Sequence, residues 1–260
     1  MRDSGQFDVV GILDDDPGKA RTTVDGAHVL GPVSHALNYP EAKVVVCIGA
    51  GRGRAQVVSR LTELGFPNHR YATVVDSSAR LAEGCRIGRG DILLGHVTLT
   101  AGVRVGDHVV VMPGVTLTHD DVVADYATFA AGVSLGGGVR IGRAAYLGMN
   151  SSVREGASVG AGATIGMGAV VLGDVPDDET WVGVPARPMR HGVGTGSLAE
   201  GALAAPNMRQ MKHEEDQARG SRATPARIGS HTLLQLRQIP ARRGVLRPQP
   251  DGCGSGGHHR

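Results

Sequence analysis

Aromatic side chains are nearly missing: phenylalanine, tryptophan and tyrosine together make up 3% of the 260 residues. So few rings leave little surface on which bases stack, and a formal net charge of +2 is too small to attract a nucleic-acid backbone. Nucleic acid is therefore excluded as the main partner. Cysteine is also scarce, and Cys47, Cys85 and Cys253 are an odd, widely spaced set without a Cys-x-x-Cys pair. Such a set builds no disulfide framework and suits a reducing compartment. No apolar run approaches the ~20 residues of a membrane-spanning helix, and no signal-peptide pattern opens the chain, so the expectation is a cytoplasmic protein. Glycine, by contrast, is abundant at 40 residues, and it does not fall in a collagen-like triplet.

The glycines keep phase with a different period. From Val75 to about Val175 a bulky apolar residue returns at every sixth position, through Leu81, Ile87, Leu93, Leu99, Val105 and onward without a slip to Val171. Two positions before each comes a smaller residue, among them Ala79, Cys85, Val97, Ala127, Ala145 and Ala163, and only Asp91 and Asp121 break that rule. A period of six is neither the 3.6 of a helix nor the 2 of a lone strand, so it must arise from a repeating coil. If each hexad makes one short strand and one corner, three hexads close a triangle, and the next triangle stacks on it at ~4.8 Å. A sandwich of valine-rich strands would need variable turns and would lose phase over such a length. The expected fold is mainly β, a left-handed parallel β-helix of hexapeptide repeats over residues 73–190.

Residues 1–72 read as a partial, Rossmann-like α/β unit. Phe7 to Leu13 forms a strand stopped by Asp14-Asp15-Asp16-Pro17, and Lys43 to Ile48 forms a buried one. Gly49-Ala50-Gly51-Arg52-Gly53-Arg54 then leads into a helix, roughly Ala55 to Leu64. Strand, glycine turn and helix is an arrangement that binds phosphate in principle, but the run lacks the last glycine of a dinucleotide fingerprint and reads first as a plain strand-to-helix turn.

Within the repeat, Thr118-His119-Asp120-Asp121 stands out. His119 follows Leu117 by two and so lies on a corner pointing outward. The same corner recurs every 18 residues, which stacks His119 between Ala101 and Gly137. A histidine beside a bare glycine corner leaves a slot for a thin ligand, and the Asp120 carboxylate would orient the imidazole and stabilise its protonated form. The bland alternative is a solvated surface histidine, one of 11 in the chain. A third reading is a metal, since His96, His108 and His119 all fall near corners. A zinc-dependent carbonic anhydrase of the γ type carries two histidines five positions apart, however, and the repeat has no such pair, so no metal is expected.

Several features together resemble one family. The strand ending Leu13-Asp14-Asp15, the Ile48-Gly49 turn followed by Arg54, the unbroken hexads, the His119-Asp120 pair and the terminator Val182-Gly183-Val184-Pro185-Ala186-Arg187 are similar to the sialic acid O-acetyltransferase and bacillosamine-type sugar N-acetyltransferase family of hexapeptide-repeat acyltransferases. The resemblance covers most of residues 7–190. It implies a homotrimer of polysaccharide-biosynthesis type, with acetyl-CoA along the coil edge as acetyl donor and a sugar towards the N-terminal unit. It further implies His119 as general base with Asp120 raising its basicity, Gly137, Met149 and Met167 at acetyl-CoA, and Asp14 and Asp15 at a nucleotide-sugar. Family members usually carry one more strand and a GxGGH-type loop ahead of the segment that here follows Met1. They also often carry a histidine where Thr128 stands. The other outcome is a non-catalytic trimeric repeat protein, or a degenerate relative without a complete sugar site. After Arg190 the hexad ends, and residues 191–260, rich in glycine, alanine, arginine and proline, read as a low-complexity, disordered tail apart from a brief Leu233-Leu234-Leu236.

Overall fold

A computed structural model of the chain describes residues 7–189 and 232–238. From Val74 onward the backbone winds through two-residue parallel strands that stack into three sheets. Val110 and Val111 pair with Ile92 and Leu93 on one side and with Thr128 and Phe129 on the other, so each coil advances the register by 18 residues. The same step recurs at Thr116 with Thr98 and at Val122 with Arg140. Three hexads per turn is what the sequence period requires, and the fold is a parallel β-helix.

The hexad residues point inward as expected. Leu93, Leu99, Leu117, Phe129, Leu147 and Ile165 are at most 1% exposed, and the small residues between them, such as Val97, Ala127, Ala145 and Ala163, are sealed with them in one continuous core. The first coil is the exception, with Leu81 37% exposed and Val75 and Ile87 half-buried, because no earlier coil covers it.

Each corner turns through a residue with positive φ, which explains the phase of the glycines. One corner runs Gly90, His108, Tyr126, Ala144, Gly162; the next His96, Gly114, Gly132, Asn150, Gly168; the third Gly84, Gly102, Asp120, Gly138, Gly156. Histidine, asparagine and aspartate tolerate the left-handed region better than other side chains.

The N-terminal unit packs on the first of these corners. Its parallel strands are β1 (Phe7–Asp14), β3 (Ala27–Gly31) and β4 (Lys43–Val46), with the short β2 (Thr23–Val24) beside β3. Here one expectation needs correcting. Within the segment read as a tail, Thr232–Gln238 is a strand, inserted between β1 and β4 and antiparallel to both. The remainder of 191–260 lies outside the described residues. Among the described residues no helix is long and apolar enough to cross a membrane.

Helix α1 (Gly51–Glu63) begins four residues before the expected start. Gly51 is there for packing: a Cβ on it would strike the Tyr126 carbonyl and crowd Ala144 on the coil corner. The glycine run thus presses the helix start onto the β-helix. One turn later Arg54 is fully buried and donates hydrogen bonds to the carbonyls of Ile48, Gly49, His108, Tyr126 and Ala127 and to Thr128 Oγ1, all at 2.6–3.0 Å. Burial pulls this guanidinium down to about 10, and the ring of carbonyls replaces its lost water. One side chain therefore ties β4, α1 and two coils together. Replacing it by methionine, which fills similar volume without donors, leaves the carbonyls of Ile48, His108 and Tyr126 without their Arg54 donor in a buried setting. Arg54→Met is expected to lower stability by at least about 3 kcal/mol in urea unfolding, and a loss under about 1 kcal/mol would show that the clamp is dispensable.

Candidate active site

His119 and Asp120 stand on the third corner, with side chains 68% and 74% exposed. His119 Nδ1 lies 3.1 Å from Asp120 Oδ2. The stacking count holds: Asp120 N donates to Ala101 O at 2.9 Å, and Gly138 N donates to His119 O at 2.8 Å. A Cβ built on Gly137 would fall inside the imidazole at Nε2, so the ring lies flat over a corner that must be bare. Asp120 stacks the other way, its Oδ1 close over Gly102. The pair is thus held between two glycines, with one ring nitrogen engaged by the carboxylate and the other, Nε2, over the bare Gly137 corner.

The corner beneath them is rigid because of Asp121, one of the two residues that break the small-residue rule. It is fully buried, and it accepts from Thr118 N and Val139 N, both at 2.8 Å. Asp91 repeats the device on the first corner, accepting from Gly88 N and Val109 N at 2.7 and 2.8 Å. Sequence reading marked both positions as irregular but gave them no role. The break in the hexad was itself the signal.

Comparison with known proteins agrees with the repeat fold. The family model described as bacterial transferase hexapeptide (six repeats) matches residues 138–173. Among solved structures, the acetyltransferase domain of PglB from Neisseria gonorrhoeae FA1090 is 29% identical with a TM-score of 0.62, covering 68% of this chain and 85% of that one. A mutant of perosamine N-acetyltransferase from Caulobacter crescentus, in complex with CoA and GDP-perosamine, is 26% identical with a TM-score of 0.64, covering 69% and 85%. WeeI from Acinetobacter baumannii AYE is 29% identical with a TM-score of 0.61, covering 68% and 85%. Over about two thirds of its length the chain is similar to hexapeptide-repeat sugar acetyltransferases. A search of curated proteins finds no match.

A single chain does not gather all the residues expected at the site. Gly137 joins His119 and Asp120. Met149 and Met167, 47% and 71% exposed, stack on each other one coil apart, but on the second corner. Asp14 and Asp15 sit at the end of β1 and are already engaged: Asp14 accepts from Lys19 Nζ at 2.9 Å and Asp16 N at 3.0 Å, and Asp15 accepts from Val33 N at 2.9 Å and Arg60 at 2.5 Å. They brace the loop that follows β1. Thr128 faces the Arg54 junction, donating to Gly49 O at 2.9 Å, rather than the His119 corner. The three histidines weighed as a metal site fall on three different corners, and His108 is buried with its ring between Tyr71 and Tyr126.

Burial raises Asp121 from 3.8 to about 6 and Asp91 to about 7, although their backbone donors pull the other way. A carboxyl raised in the folded chain favours folding while protonated, so this contribution is lost as pH climbs from about 4 towards those values. His108, lowered to about 4 by burial, has the opposite slope, adding stability between pH 4 and 6.5. Substituting one carboxyl separates the two. The stability difference between Asp121→Asn and the unsubstituted chain should move in the variant's favour from pH 4.5 to pH 7.5, read as urea midpoints; parallel midpoints would show that Asp121 does not titrate in this window.

Proposed function

We propose that this chain transfers an acetyl group from acetyl-CoA to the amine of a nucleotide-linked amino sugar, with His119 as general base; the hydroxyl of a sialic acid is the other acceptor in the same chemical range. The observation that carries the proposal is the His119 ring over Gly137, with Nδ1 held by Asp120. In that pose an Nδ1–H donated to Asp120 leaves the lone pair on Nε2, beside the bare Gly137 corner. Support for the acceptor comes from the perosamine enzyme, which was solved with CoA and GDP-perosamine.

The chemistry follows from that arrangement. As the sugar nitrogen forms its bond to the thioester carbonyl carbon, Nε2 takes the proton released from the nitrogen. The carbon–sulfur bond then breaks, and the sulfur leaves as the thiol of CoA after taking up a proton. The imidazolium formed meanwhile is stabilised by the Asp120 carboxylate. General-base assistance of this kind contributes roughly 10²–10⁴ in rate, and positioning supplies much of the rest.

Exposed Met149 and Met167 offer a narrow apolar column suited to the thin arm of a CoA-type donor. Because they occupy another corner, a donor lying on them reaches His119 only where a second copy presents its third corner alongside, which is the role of the expected homotrimer. The braced loop after Asp14 and Asp15 then supplies the acceptor end. Asp14 and Asp15 act here by shaping that loop as much as by direct contact.

Thiol release from acetyl-CoA, followed against a panel of nucleotide-linked amino sugars and free sialic acids, tests the reading. His119→Ala is expected to lower kcat/KM by about 10²–10⁴ for the preferred acceptor, and Asp120→Asn by a smaller factor of about ten, with the fold intact by circular dichroism. Acceptor-dependent release that persists in His119→Ala would remove His119 from the chemistry. Absence of release with every acceptor, in a folded trimer, would favour the non-catalytic repeat protein.

A further inference from the structure

The N-terminal sheet has the order β2, β3, β1, the C-terminal strand Thr232–Gln238, then β4. β1 and β4 therefore do not touch as strands; everything between them is the C-terminal segment. Two strand spacings separate them, roughly 9–10 Å, a gap that one extended backbone fills and that side chains alone do not. Without that segment two rows of backbone donors and acceptors would face each other unpaired.

The pairing is lopsided in a way that makes β1 depend on this strand. Against β3, β1 has only two register pairs, Ile12 with Val29 and Leu13 with Gly31. Against the C-terminal strand it has seven, from Phe7 with Gln238 to Asp14 with Thr232, interrupted by one bulge between Val9 and Gly11. On its other edge the strand pairs with all of β4, from Leu236 with Lys43 to Leu233 with Val46. Leu236 then anchors it: this residue is fully buried in a cluster with Val45 of β4 and with Ala72, Val74, Ile92 and Val110, where the β-helix begins. The strand thus fastens β1, β4 and the first coils to one another, and its Thr232 end lies in register with Asp14, at the loop that Asp14 and Asp15 brace.

We propose that the N-terminal sheet is a strand acceptor, that its occupant is the chain's own residues 232–238, and that seating this strand holds the acceptor end of the site in place. The role at the acceptor end rests on the proposed acetyl transfer; the seating of the strand does not. A segment at first sight outside the enzyme becomes a positioning element: with it seated, the loop after β1 is fixed against the coil, and with it withdrawn, β1 keeps only its short contact with β3 and its side-chain packing. The strand pairs with β1 and β4, and His119 lies in neither, so donor binding and the proton transfer itself should not depend on it.

Hydrogen exchange measured by mass spectrometry on the full chain tests this directly. Two variants weaken seating by different means: Leu236→Asp places a charge in the buried cluster, and Gln235→Pro removes a ladder N–H and leaves every side chain of the cluster in place. Both are expected to speed exchange at least tenfold across Phe7–Asp14 and Lys43–Val46, while the coil strands Thr98–Leu99 and Thr116–Leu117 stay as protected as before. A synthetic peptide of residues 230–240, added to Leu236→Asp at increasing concentration, should restore the protection, whereas a scrambled peptide should not. In the thiol-release assay the variants should raise the KM for the acceptor several-fold, with the KM for acetyl-CoA unchanged.

Equal protection of β1 and β4 in the unsubstituted chain and both variants would overturn the proposal, as would free-peptide exchange rates at residues 232–238 in the unsubstituted chain. Unchanged acceptor KM beside faster β1 exchange would overturn the positioning role. If no acceptor supports thiol release at all, the exchange experiment still decides the seating of the strand, so failure of the activity and failure of the clasp are told apart.

Discussion

A parallel coil that repeats every 18 residues places each corner directly between the same corners of the coils before and after it, so a side chain there must fit those two neighbours. That vertical constraint governs the molecule. It demands one large and one small inward residue per hexad, a residue tolerant of positive φ at each turn, and a vacancy wherever a bulky group lies over the corner below. His119 over Gly137 and Asp120 over Gly102 are consequences of this stacking. The site is therefore built by subtraction: two glycines make the room in which an imidazole and a carboxylate meet at 3.1 Å. The buried Asp121 then prevents the corner from shifting, because its carboxylate holds the backbone both before and above it.

The second dependence is the junction between the coil and the N-terminal unit. Arg54 supplies four hydrogen bonds across it and two more within its own unit, and Gly51 lets the helix come close enough for them to form. A plain apolar contact would leave the two units free to slide. A ring of carbonyls around one guanidinium fixes both distance and angle, and with them where the end of β1 stands relative to the coil.

Local periodicity carried most of this to the reader of the sequence. The hexads predicted the coil, the 18-residue count predicted Gly137 beneath His119, and the breaks at Asp91 and Asp121 marked the places where a buried carboxylate replaces a methyl group. The rest depends on pairings between distant residues, which no local pattern encodes. Arg54 looked like one cation at a helix start, and its partners at His108 and Tyr126–Thr128 lie 54 to 74 positions away. The strand at Thr232–Gln238 showed only as a brief apolar run, since a single strand carries no trace of the two edges that will receive it. The helix began early because Gly51 answers to the coil corner rather than to helix propensity. Met149 and Met167 entered only through the family resemblance, and their separation from His119 within one chain appears only when the corners are assigned in three dimensions.

Gly137 offers the most direct test, because stacking alone assigns its role. With Gly137→Ala the imidazole must leave its place, while the backbone there, outside the left-handed region, accepts an alanine. Acetyl transfer at saturating donor should be measured for this variant beside Glu155→Ala, which truncates the next residue on the same corner. The account predicts that Gly137→Ala loses at least about tenfold in kcat/KM, equivalent to ~1.4 kcal/mol of transition-state stabilisation, with a melting temperature within a few degrees of the parent and with Glu155→Ala near full activity. Full activity in a folded Gly137→Ala chain would mean that His119 does not work from its seat over the bare corner, and the site would have to be sought elsewhere.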